Sequence, residues 1–130
     1  DNKARNASIA AAGSLVNKAK AARDEAENRI RTAVETAYLK SSQAREAYRL
    51  TESTLALATE NLRLREKSFA EGLSTADDVN DARNKLLAAR IARSVAAYRF
   101  VVAWAYLNAA SGDMNAFEES VTRQTNIFEK

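Results

Sequence analysis

The sequence predicts an all-α fold: a long antiparallel coiled-coil hairpin, with helices over about 8–69 and 75–110 and a short C-terminal helix after them. Three observations carry that prediction. The 130 residues contain no proline, abundant alanine and only three glycines, a composition that favours long uninterrupted helix. Apolar and small residues recur at steps of three and four over nearly the whole chain. One glycine, Gly72, interrupts this pattern between Gly13 and Gly112, and it is followed at once by a helix-start signature.

The first arm opens on residues 1–7, which are polar and expected to fray. From about Ser8 a seam runs through Ile9, Ala12, Val16, Ala19, Arg23, Ala26, Ile30, Ala33, Ala37, Ser41, Ala44, Tyr48, Thr51, Leu55, Ala58, Leu62, Arg65 and Phe69. Two successive steps of four, at Ala33, Ala37 and Ser41, form a stutter that locally unwinds a supercoil. The many Ala, Ser and Thr residues require a partner backbone at close range. A second stripe follows Leu50, Thr54, Leu57, Asn61 and Leu64, and a helix with two stripes has two neighbours.

The elbow at residues 70–75 comes next. Gly72 can take the left-handed conformation that ends a helix. Thr75 is a good N-cap, and Asp78, three residues on, can reach back to it and meet the positive end of the helix dipole. The second arm then carries one stripe at Val79, Ala82, Leu86, Ala89, Arg93, Ala96, Phe100, Ala103, Leu107 and Ala110, and another at Leu87, Ile91, Tyr98, Val102, Ala105 and Ala109. Two isolated helices need one seam apiece, so the extra stripes predict a larger sheet or barrel of helices. The arms are also unequal, roughly 90 Å against about 54 Å at 1.5 Å per residue, which leaves Ile9, Val16, Ala26 and Ile30 without a partner in the hairpin.

Gly112 ends the second arm as Gly72 ends the first, and Asp113 can cap a short amphipathic helix with Phe117, Val121, Gln124 and Phe128 on one face. The segment 113–130 is read as this C-terminal appendage. The run Ala96–Ala110 holds Arg99 and Asn108 and is shorter than the ~20 residues of a spanning helix, so it reads as a packed helix end. No signal-peptide pattern opens the sequence, and a start at Asp1 within helical composition suggests a piece of a longer chain.

Function classes narrow accordingly. Without cysteine or histidine there is no disulfide framework, no thiol nucleophile and none of the commonest zinc sites, so no metal and no cofactor are expected. There is no glycine-rich phosphate loop and no carboxylate pair set in a pocket, so catalysis is not expected. The net charge of +3 arises from mixed signs without a basic block, which argues against a nucleic-acid partner.

The run Phe69-x-x-Gly72-x-x-Thr75-x-x-Asp78-Val79-x-x-Ala82 follows a long helix with Tyr48 and Leu62. It precedes Leu86, Ala89-Arg90, Tyr98 and Gly112. Over roughly residues 30–115 this resembles the C-terminal half of TolC-like outer-membrane efflux proteins, where such a pattern marks the periplasmic tip of a helical hairpin. Asn80, where the family often has leucine, and the extra acid Asp77 depart from it.

The resemblance implies a parent homotrimer in the outer membrane of a Gram-negative bacterium. Its β-barrel, absent from this chain, would be the only membrane contact, and its α-helical barrel would project into the periplasm. Such a duct serves tripartite drug efflux or type I secretion, meeting a periplasmic adaptor and, through it, an inner-membrane transporter. The resemblance further implies that Asp78 and Asp81 line a periplasmic gate as an acidic, cation-attracting ring with raised pKa values. The bland reading makes Asp78 a capping residue only and Asp81 a solvated one. Gly72, Leu73 and Ser74 are implied to dock the adaptor, against an ordinary loop whose Leu73 folds back on Phe69.

Trp104, Tyr106, Tyr38, Tyr48 and Tyr98 read as packing residues. Arg23, Arg65 and Arg93 read as snorkelling side chains reaching carboxylates such as Glu27 or Glu66. The competing class is the interaction hairpin of a periplasmic adaptor or a spacer protein. An amphipathic lipid-binding pair would need one wide apolar face, which narrow alanine-rich double seams do not provide.

Overall fold

The computed structural model describes residues 2–128, with side chains described through Arg123. Three helices follow one another, α1 (Asn2–Ala70), α2 (Ala76–Ser111) and α3 (Met114–Phe128), and no strand occurs among the described residues. The chain divides into two compact units, Asp1–Thr36 and Ala37–Lys130.

The first unit is bare helix. It begins at Asn2 and not near Ser8, because nothing in Lys3-Ala4-Arg5-Asn6-Ala7 breaks a helix and alanine and basic residues favour one. Its described side chains are exposed except for half-buried Val34, and Ile9, Leu15, Val16 and Ile30 all face solvent. Ala26, expected with Ile9, Val16 and Ile30 to lack a partner in the hairpin, is exposed as well. Local ion pairs such as Arg23–Glu27 (2.7 Å) decorate the surface at i, i+4 spacing.

The second unit holds the hairpin. On α1 the seam residues Ala37, Ala44, Tyr48, Thr51, Leu55, Ala58 and Leu62 are half-buried and Ser41 is buried. On α2, Val79, Ala82, Leu86 and Ala89 are buried, and Arg93, Ala96, Phe100, Ala103, Leu107 and Ala110 are half-buried. The register is set across the seam by Arg83 to Glu66 (3.0 Å) and by Arg93 to Tyr48 (2.8 Å) and Glu52 (3.3 Å). Seam position after seam position, small residues let the two backbones close up while each contributes little area.

The second stripes stay largely open, although Asn61, Val102 and Ala105 are half-buried. Leu50, Leu57 and Leu64 on α1 and Leu87, Ile91 and Tyr98 on α2 are exposed, most of them by more than half. A buried hydrophobic core of Val79, Ala82, Leu86 and Ala89 is too little to hold a domain by itself.

Both helix ends close in the same way. Gly72 (φ 74°) lets its N–H donate to the Phe69 carbonyl (3.0 Å) and the Leu73 N–H to that of Ser68 (2.8 Å). Gly112 (φ 79°) repeats the motif through Ala109 (3.3 Å) and, by the Asp113 N–H, Asn108 (2.9 Å). These paired bonds satisfy carbonyls that a helix end otherwise leaves open, and the left-handed φ suits glycine best. The carboxylate of Asp113 then accepts from the Ala116 N–H (3.4 Å) and starts α3. Phe117 meets Trp104 edge-on with ring centroids 5.1 Å apart, which fastens α3 to α2. The side chains of Gln124 and Phe128, expected on the same face, lie outside the described residues.

Candidate functional site

The elbow positions a small polar cluster on a rigid frame. Thr75 has extended backbone (φ −94°, ψ 162°), and its hydroxyl accepts from the Asp78 N–H at 3.2 Å. In return the Asp78 carboxylate accepts from the Thr75 N–H (2.9 Å), the Thr75 hydroxyl (2.7 Å) and the Ser74 hydroxyl (3.2 Å), all through Oδ2. This reciprocal capping box is the geometry that the Thr75 and Asp78 spacing anticipates. The Thr75 backbone N–H first, then the Thr75 and Ser74 hydroxyls, hold the Asp78 carboxyl below its ordinary range, with the Arg65 cation adding to the effect. That direction is opposite to the raised value that the resemblance implies for Asp78 in an acidic ring.

The sign gives a prediction. A depressed carboxyl contributes stability that is complete above the ordinary carboxylate range and is lost as pH falls through its own lower value. The Thr75 amide, which donates to that carboxylate, should exchange faster relative to its intrinsic rate as pH drops below that range. In Asp78→Ser the acceleration should vanish, and a pH-independent Thr75 amide in the parent would contradict the capping account.

Asp81, one helical turn on, makes a different contact: Lys85 Nζ lies 2.6 Å from its Oδ2. Sequence reading missed this partner, although the i, i+4 spacing was its signal. The structure thus sends the two aspartates to separate partners, Asp78 into the cap and Asp81 to an exposed lysine.

Leu73 stands out at 78% exposure, so it does not fold back on Phe69, itself half exposed. Its backbone is fixed by the bond to Ser68, whereas its side chain projects into solvent. Beside the elbow lies an open depression of about 350 Å³ lined by Glu66, Phe69, Ala76, Val79, Asn80 and Arg83. Asn80, where an apolar residue was anticipated from the resemblance, forms part of that wall.

Several sequence expectations need correction. Arg65 does not reach Glu66, since adjacent residues on a helix diverge by about 100°; Glu66 receives Arg83 from the other arm (3.0 Å). Arg93 reaches neither Glu27 nor Glu66 but Glu52 and the Tyr48 hydroxyl. Tyr38, Tyr98 and Tyr106 are not packed: each is more than 60% exposed. Tyr38 and Tyr106 sit one residue off the seam positions Ala37 and Leu107, and Tyr98 lies on the open stripe of α2.

Among the described residues no helix is long and apolar enough to cross a membrane. Comparison with known proteins gives one positive finding: a family model described as outer membrane efflux protein matches residues 1–113. No curated protein and no solved structure gives a significant match.

Proposed function

The chain belongs to the outer membrane efflux protein family, and from that premise we propose that its hairpin is a wall segment of the periplasmic tunnel of a trimeric export duct. The duct would serve drug efflux or type I secretion, with a periplasmic adaptor docking on the elbow and linking it to an inner-membrane transporter. The observation that carries this reading is the pair of uncovered stripes, Leu50, Leu57 and Leu64 on α1 and Leu87, Ile91 and Tyr98 on α2. Leucines repeated along both arms of one hairpin suit a helix on either side, as in a closed wall.

At the tip the proposal divides the aspartates. Asp81, which takes no part in the cap, is the carboxylate that faces the axis, and Lys85 moderates its charge. Asp78 serves the cap and so holds Asp81 at a fixed height above the elbow. Gly72, Leu73 and Ser74 form the docking tip, where an exposed leucine on a fixed backbone offers an apolar contact of one defined position. A free interaction hairpin of an adaptor or spacer would dock by its tip too, but would have no axis for Asp81 to face.

The intact protein with Asp81→Cys provides the test, because this sequence supplies no other cysteine. A short bifunctional thiol reagent should join the subunits at that position and block export. Subunits that stay unlinked while the trimer is intact would remove Asp81 from the axis.

A further inference from the structure

The seam of α2 is a strict heptad. Val79, Leu86, Arg93, Phe100 and Leu107 repeat every seven residues, and Ala82, Ala89, Ala96, Ala103 and Ala110 do so between them. Arg93 is the one charged residue in this series. A second stripe of comparable apolar content, Leu87, Ile91, Tyr98 and Val102, runs along the far side of the same helix. Hydrophobicity therefore gives α2 little preference for which face it presents to α1.

Geometry makes the ambiguity grow with distance from the elbow. The capping box and Gly72 fix the rotation of α2 at Val79. A straight α-helix then drifts by about 20° per heptad from a 3.5-residue seam, so by Arg93 the error would reach about 40° and by Leu107 about 80°. At that level Phe100, Ala103 and Leu107 are half-buried, but so are Ala97, Val102 and Trp104, so burial alone does not set the phase of α2 there. A contact that crosses to α1 midway is needed to set it.

Arg93 is placed to do so. Its guanidinium donates to the Tyr48 hydroxyl (2.8 Å) and Glu52 (3.3 Å) and lies 5.4 Å from the centre of the Tyr48 ring. Between Asp81 and the end of α2 the charges are all basic, and Arg83 and Arg93 are the ones whose bonds cross to α1; Lys85 bonds within α2, and Arg90 and Arg99 are exposed. We infer that Arg93, held by Tyr48 and Glu52, pins the rotational phase of α2 on α1 and thereby decides which stripe faces inward and which is left for a neighbour. Buried or half-buried polar residues in coiled-coil seams act in this way, selecting one arrangement at some cost in stability. The inference stands whether or not the hairpin lines a tunnel, since it concerns the two arms alone.

Disulfide trapping in the cysteine-free chain tests it. Ala44→Cys with Ala103→Cys joins two half-buried seam positions, whereas Ala44→Cys with Val101→Cys probes the exposed side that the drift would turn toward α1. In the parent the seam pair should form faster. In Arg93→Leu, which leaves the seam more apolar, the rate ratio of the Val101 pair to the Ala103 pair should rise by about fivefold, the effect of losing one cross-helix charged contact. Tyr48→Phe with Glu52→Gln should raise it likewise, and Arg90→Ala with Arg99→Ala should not. A ratio unchanged in both the Arg93→Leu and the Tyr48→Phe/Glu52→Gln chains, with helicity retained, would overturn the pin. So would an equal rise in Arg90→Ala/Arg99→Ala, which would reduce it to general charge.

Discussion

Replacing Leu73 by glutamate in the intact protein is expected to abolish export while leaving the number of chains in the assembly unchanged. The side chain is 78% exposed and has no structural duty, since the turn is held by the backbone bonds of Gly72 and Leu73. Folding should thus be indifferent to the change, within the ±0.5 kcal/mol typical of surface positions. Docking should not be. An apolar anchor at the centre of a contact contributes about 2 kcal/mol or more, at least thirtyfold in affinity, and a carboxylate there adds a desolvation penalty. The new charge would also stand among Glu71, Asp77 and Asp78, deepening an acidic tip. Leu73→Met should export normally, because shape and polarity survive. Export assays paired with sizing of the extracted assembly separate the cases: normal export by Leu73→Glu would end the docking proposal, and a dissociated assembly would move Leu73 from docking to subunit contact.

The fold was legible because periodicity and punctuation agreed. Each of the ten α2 seam residues chosen from spacing alone is buried or half-buried, and the two glycines chosen as helix ends are those with positive φ. Both signals are local: a step of three or four needs no knowledge of the partner, and a left-handed glycine needs none either. Boundaries were less secure. The start at Asn2 carries no signal of its own, since residues 2–7 are mostly polar, yet polarity without a breaker does not stop a helix.

What crosses between the arms was not legible. Arg93 read as a seam cation in search of a carboxylate, but Glu27, Glu52 and Glu66 are equivalent in a one-dimensional pattern until the register is fixed. That register depends on how tightly the elbow closes, and so Glu52 emerged only with the structure. Tyr38 and Tyr106 illustrate a narrower limit: one residue off a seam is a 100° turn, enough to carry an aromatic ring into solvent. At the site, Thr75 with Asp78 was readable because a capping box has a fixed spacing, whereas the Lys85 contact to Asp81 competed with other i, i+4 pairs of equal quality.

Glutamate at Ile91 in the intact protein is expected to prevent assembly, and glutamate at Leu57 to do the same from the other arm. Both side chains are mostly exposed in the single hairpin, 57% and 73%, so the substituted chain should remain as helical as its parent by circular dichroism. In a closed wall each would lie between neighbouring helices. An unpaired carboxylate there is desolvated, and the cost recurs at every symmetry-related contact, so more than about 2 kcal/mol per contact compounds around the ring. Ile91→Val should assemble, since it retains most of the apolar area. Normal trimers of both Ile91→Glu and Leu57→Glu would mean that the stripes face water in the working protein. The open faces would then have no neighbour to receive, and the interaction hairpin would replace the tunnel wall as the better account of the fold.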